Sequence, residues 1–216
     1  MFTEENNYLV SSYVPPEELV KNSGILLLPV STTEVRQKEV LNEKAYRDLY
    51  NHLIIFDIKH VSNFELYAGK TIAIFKMLGI NLEDDEFQQM SGNVKAYLNT
   101  TNPAINEFLS KSNLGGDSAG LALVLSSFIE QREIKNDIPI GVTGAISKSG
   151  KVKEVHFIKE KILSANKFGL SHIILPIGNL DEAHGVVTSF NLPIEVIGVN
   201  NVEDAIEQIN KVNQKK

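Results

Sequence analysis

The chain has 216 residues, 43% of them hydrophobic and 22% charged, the composition of an ordinary globular protein rather than a fibrous or wholly disordered one. A formal charge of −6 gives no long-range attraction to phosphate, so nucleic acid is not an expected partner, and the basic stretch Lys211–Lys216 reads as the solvated end of a last helix. The lack of cysteine excludes disulfides, a thiol nucleophile and thiolate metal sites.

Met1–Val10 carries Glu4 and Glu5 and has no apolar stretch behind a basic end, so it does not read as a signal peptide. The apolar run Ile25–Leu28 is too short to cross a bilayer. The expectation is a soluble, cytoplasmic chain with no membrane segment. Gly24–Val30 and His52–Ile58 are short apolar runs read as strands, flanking a helical stretch from about Thr33 to Tyr50. A second helix is expected from about Asn63 to Leu78, and Glu83–Glu86 with Asn81 reads as a loop. That loop divides an N-terminal portion, residues 1–90, from a core of residues 91–216; the former is either part of the same domain or a small appendage.

In the second half, Leu114–Gly116 is a glycine loop, Ser118–Gln131 an almost continuously apolar helix and Ile138–Ile146 a strand. A turn at Lys148–Gly150 leads to a short strand, a helix from about Phe157 to Phe168, and a stop at Gly169. His172–Pro176 and Ile194–Val199 follow as strands, each succeeded by a helical segment, near Asp181–Phe190 and Val202–Val212. Alternating strands and helices predict an α+β or α/β domain with mixed sheets and at least one parallel strand pair.

Gly69-Lys70-Thr71 resembles the end of a phosphate-binding loop, but Phe64 stands where its first glycine belongs, so the cradle cannot form. The five histidines make no His-x-x-x-His pair and no histidine–carboxylate cluster at ligand spacing, so no metal is expected. His172 and His184 read as structural. No cofactor is called for.

Gly116-Asp117-Ser118-Ala119-Gly120 leads directly into an apolar helix. Small neighbours let a substrate backbone come close to the serine, and the first amides of a helix lack partners inside it. Those N–H groups, at Asp117 and Ser118, are suited to hold an oxyanion; the plainer alternative is a serine or aspartate that caps a buried helix. On the helix Phe157–Phe168, at about 100° per residue, Lys161 falls near the middle of an arc shared with Phe157, Ile158, Ile162, Ala165 and Phe168. Lys159, Glu160, Asn166 and Lys167 lie on the other side. A lysine turned inward loses hydration and its pKa falls, so a neutral amine able to act as a general base becomes accessible; alternatively it snorkels to solvent past its apolar neighbours.

Together these residues resemble the proteolytic domain of Lon proteases, a family with a Ser–Lys dyad. Gly116-Asp117-Ser118-Ala119-Gly120 is similar to the family's serine segments, and Lys159-Glu160-Lys161-Ile162-Leu163 to its lysine segment, at the interval seen in the bacterial form. Val142-Thr143-Gly144 resembles the family strand whose threonine supports the dyad, Gly150-Lys151-Val152 its turn, and Phe168-Gly169 with Ile173-Ile174-Leu175-Pro176 continues the likeness. The resemblance covers about Asn113 to Leu180 and extends to Val199. It implies a serine endopeptidase with Ser118 as nucleophile and Lys161 as base, supported by Gly116, Asp117, Thr143 and Gly144; with no Walker motif in the sequence, the expectation is a stand-alone, ATP-independent form. It further implies a protein or peptide substrate and a ring-like homo-oligomer.

Three departures stand out: His156-Phe157 where the family usually has Gly-Gly, Ala145 in place of a glutamate, and no Walker motif. Gly24–Val30 with Asn63–Leu78 is loosely similar to membrane-anchored bacterial relatives, so the soluble part of such a protease is the alternative to a cytoplasmic enzyme. A non-catalytic Lon-like module for assembly or peptide binding is the rival function. An α/β-hydrolase also matches Gly-x-Ser-x-Gly, but Phe108–Leu114 is too polar for the strand it needs, and Asp181 and His184 share one short stretch.

Overall fold

A computed structural model describes residues 7–36, 55–61, 86–99, 102–111 and 114–215. The chain divides into two compact units: Met1–Val14 with Val30–Asp84, and Pro15–Pro29 with Asp85–Lys216.

In the first unit, β1 (Asn7–Tyr13) is the middle strand of an antiparallel sheet between β3 (Val30–Arg36) and β4 (Ile55–Val61). Its register pairs Tyr13 with Val30 and Asn7 with Arg36 on one side, and Val10 with Ile58 on the other. The helix expected from Thr33 is corrected here, because residues 33–36 continue β3. Thr32, Thr33 and Val35 are β-branched, stiff at χ1 and suited to a pleated strand. The rest of that helix, the helix expected at Asn63–Leu78 and Gly69-Lys70-Thr71 lie outside the described residues.

The second unit is built on a four-stranded parallel sheet. Its order is β2 (Ile25–Leu27), β5 (Ile140–Val142), β8 (His172–Pro176) and β9 (Glu195–Val199). The sheet is near-continuously apolar, as strands covered on both faces are. Side-chain alternation sends Ile174 into one core and Ile173 and Leu175 into another. The first core holds α1 (Glu86–Leu98), α2 (Pro103–Leu109), α3 (Gly120–Glu130) and α6 (Val202–Gln214); the second holds α4 (Ile158–Lys167) and α5 (Leu180–Ser189). Among the described residues six helices and this parallel sheet, with the small antiparallel pair of β6 (Ala145–Ile146) and β7 (Val152–Lys153), give the mixed α/β architecture expected from the sequence.

Each layer has a legible cause. Every residue from Gly120 to Ser127 of α3 is buried, and a helix apolar on all sides belongs between other elements. Asn102 caps α2 by accepting from the Ile105 N–H at 2.7 Å, with Pro103 opening the helix. Asn201 does the same for α6 through the Asp204 N–H at 2.8 Å. Helix α1 has no counterpart in the sequence reading: Glu86, assigned there to a loop, opens it, and its buried Phe87, Met90, Val94 and Leu98 follow the helical period.

Candidate active site

The chain reaches the site from two directions, α3 on one face of the sheet and α4 on the other. Ser118 lies in a turn just ahead of α3, closed by the Gly120 N–H donating to the Asp117 carbonyl at 3.2 Å. Gly116 enters that turn at φ +78°, and a Cβ there would meet nothing within 4 Å. What Gly116 supplies is therefore the left-handed backbone that L side chains resist, not room.

The turn is sewn to the end of β5. The Ser118 carbonyl accepts from the Gly144 N–H at 2.8 Å and from Thr143 Oγ1 at 3.3 Å, while the Gly144 carbonyl accepts from the Leu121 N–H at 2.9 Å. The Thr143 N–H in turn donates to the Ile174 carbonyl of β8 at 3.0 Å. The strand expected as one piece over Ile138–Ile146 is thus two, β5 and β6, broken at Thr143-Gly144. Both backbone groups of Gly144 are spent on the serine turn instead of on a neighbouring strand. A side chain at Gly144 would press on Val152 Cγ1 at 3.1 Å and Leu121 Cδ2 at 3.3 Å, so both would have to give way to admit one.

Lys161 occupies the first turns of α4 between fully buried Ile158 and Ile162, and it is only 4% exposed. It does not snorkel. Burial strips water from the ammonium and lowers its pKa to about 8, against the opposing pull of the Asp117 and Glu160 carboxylates. Its Nζ donates to the His156 carbonyl at 3.0 Å. The arc read from the sequence needs one correction: Phe157 and Phe168, at its two ends, are exposed. Phe157 is the N-cap of α4 with a left-handed backbone, and Phe168 is the C-cap, so neither side chain keeps the helical register.

The segment that presents the His156 carbonyl is held by a residue the sequence reading missed. Asn179, buried after β8, accepts from the Val155 N–H at 2.9 Å and donates to the Val155 carbonyl at 3.1 Å. Its amide imitates a strand partner for the residue next to His156. Neither contact has a signature in sequence spacing, since one partner is backbone and the other is a lone asparagine 24 positions away.

Beyond the C-terminal end of β5, where Thr143 and Gly144 hold the serine turn, the Asp117 carboxylate of that turn acts on the Lys161 amine. In open α/β sheets this edge is where ligands bind. His172 lies elsewhere, beside Ser171 Oγ at 2.8 Å and the Glu195 carboxylate at 3.7 Å, and His184 is exposed on α5. Among the described residues no group of three or more His, Asp or Glu side chains is placed to hold a metal ion, and no helix is long and apolar enough to cross a membrane.

Residues 112–211 match the family model of the Lon protease (S16) C-terminal proteolytic domain. Similar proteins include a Lon protease of Aster yellows witches'-broom phytoplasma, 32% identical over 44% of this chain and 12% of its own length. A Lon protease of Phenylobacterium zucineum is 33% identical over 43% of this chain and 12% of its own. The peroxisomal Lon protease homolog 2 of Arabidopsis thaliana is 35% identical over 43% of this chain and 10% of its own. The chain therefore spans about a tenth of the length of the curated relatives it matches.

Proposed function

We propose, from the match of residues 112–211 to the Lon protease (S16) C-terminal proteolytic domain, that the chain is a serine endopeptidase with Ser118 as nucleophile and Lys161 as general base. The observation that carries the reading is the buried amine: a lysine whose pKa is lowered to about 8, beside a serine turn whose backbone is fixed by Thr143 and Gly144. An ammonium in the same position has no lone pair to take a proton.

In the reaction, neutral Lys161 removes the hydroxyl proton of Ser118 as Oγ bonds to a peptide carbonyl carbon. The carbonyl electron pair moves onto its oxygen, where the N–H groups of Asp117 and Ser118 receive it. Collapse of this intermediate breaks the C–N bond, and the departing amine takes the proton from the Lys161 ammonium. Lys161 then deprotonates a water that attacks the acyl-enzyme, and Ser118 regains its proton. Gly116 gives the turn its shape, and Thr143 with Gly144 hold the Ser118 carbonyl so that Oγ has a fixed origin. The substrate is a flexible or unfolded protein segment, and hydrolysis is ATP-independent. The working form is a homo-oligomeric ring, as the family likeness implies.

The test is incubation with an unfolded casein-like protein, wild type beside Ser118→Ala, with mass spectrometry of the fragments. Wild type yields discrete peptides and the variant yields none. A Lys161→Ala enzyme that cleaves at the normal rate overturns the mechanism, and a wild type that a serine-directed phosphonate fails to label at Ser118 makes the domain non-catalytic.

A further inference from the structure

We propose that Phe157 is a specificity-determining residue of this site, its ring forming an apolar contact for a substrate side chain that flanks the scissile bond; the inference rests on the Ser118–Lys161 reading. The starting observation is conformational. Phe157 sits at φ 64° and ψ 38°, a left-handed backbone that costs an L residue roughly 1–2 kcal/mol and glycine nothing. Folding does not recover that cost through the ring, which is 47% exposed while Ile158 next to it is fully buried. A strained, solvent-facing aromatic points to use rather than packing.

Its location says which use. The peptide group joining His156 to Phe157 is the one whose carbonyl accepts from Lys161 Nζ at 3.0 Å, and the Phe157 carbonyl accepts from the Lys161 N–H at 3.1 Å. Bond lengths and that 3.0 Å hydrogen bond together keep the Phe157 Cβ within about 9 Å of the amine. An extended substrate advances about 3.3 Å per residue, so a ring at that range meets the side chain one or two residues from the carbonyl under attack. A flat, exposed aromatic face favours an aliphatic or aromatic side chain there, because each removes the other's apolar surface from water.

The experiment compares wild type, Phe157→Gly and Phe157→Tyr on peptide pairs that differ only in having leucine or serine beside the scissile bond. Melting curves accompany the rates, and wild type is labelled with a serine-directed phosphonate. Phe157→Gly, relieved of the left-handed strain, is expected to melt at or above the wild-type temperature. Its ratio of kcat/KM for leucine over serine peptides falls about tenfold, through KM, and Phe157→Tyr restores the ratio. A Gly variant whose ratio stays within about twofold of wild type overturns the inference, as does one that loses rate equally on all peptides, which makes Phe157 a folding or assembly residue. If wild type takes the label at Ser118 and the ratio does not move, the dyad stands and the Phe157 role falls. If wild type neither cleaves nor takes the label, the dyad falls first and this role with it.

Discussion

The two halves of the site are built by different means. On the serine side, position is set by backbone: the Ser118 and Gly144 carbonyls and the Gly144 and Leu121 N–H groups bind one another across 2.8–2.9 Å, and glycines let the segments touch. On the lysine side, reactivity is set by environment, a long side chain drawn among Ile158 and Ile162 with a single carbonyl for its Nζ. The first half depends on backbone shape and is crowded at Gly144; the second depends on dryness and is costly as long as the amine carries charge.

Removing the charge therefore gives the largest contrast. Lys161→Met keeps the apolar stem and deletes the amine, so kcat/KM is expected to drop by at least about 10³ while the fold gains stability. With the folded pKa near 8 and the ordinary lysine value 10.5, the unfolded chain binds more protons between those values, so this group's destabilising influence is complete below pH 8 and fades as pH rises toward 10.5. At pH 7 the variant is expected to be more stable on the order of 2–3 kcal/mol, and the difference should shrink steadily above pH 8. Denaturant melts of both proteins from pH 7 to 10 measure it, and a variant less stable than wild type at pH 7 contradicts a buried ammonium.

Gly144→Ala attacks the other half. A methyl group 3.1 Å from Val152 Cγ1 and 3.3 Å from Leu121 Cδ2 forces the serine turn away from β5, at a cost of about 1–3 kcal/mol in stability. A displaced nucleophile lowers kcat by roughly ten- to a hundredfold. Because the lysine's surroundings are untouched, the pH dependence of the residual activity is expected to keep its wild-type midpoint. A midpoint that moves with the rate means that the two halves are not separable.

How much of this the sequence discloses follows the same division. The apolar run of α3 and the glycines around Ser118 mark the serine turn, and the arc through Ile158, Lys161 and Ile162 marks the inward lysine, because each is a pattern of residue types at a fixed period. What supports them is less visible. The break at Thr143-Gly144 looks like a continuous strand from Ile138 to Ile146, since nothing local says that Gly144 will bond to a turn near position 118. The Asn179 clamp on Val155 is a tertiary contact and the His156 acceptor a backbone carbonyl five positions before the lysine, and composition encodes neither. The exposure of Phe157 follows from one backbone angle at a helix end, where the wheel's even spacing stops applying. Thr33–Arg36 reads as the start of a helix because a seven-residue strand rich in threonine carries little apolar signal.

The smallest effect tests the link between the halves. Asp117 belongs to the serine turn, yet its carboxylate favours the ammonium of Lys161, working against burial. As the proposed general base Lys161 acts only when neutral, so on that mechanism activity is expected to rise with pH and reach half its plateau near pH 8; at pH 7 about one enzyme in ten is competent. Asp117→Asn removes the charge that holds the proton in place. Desolvation then acts with less opposition, the pKa falls below 8, and the rising limb shifts to lower pH by a few tenths of a unit, so the rate at pH 7 becomes a larger share of the plateau. The readout is kcat/KM for one peptide from pH 6 to 9.5 in both enzymes. A limb that stays in place means that the titrating base does not face Asp117, and a limb that moves upward means that the group losing its proton is not a cation.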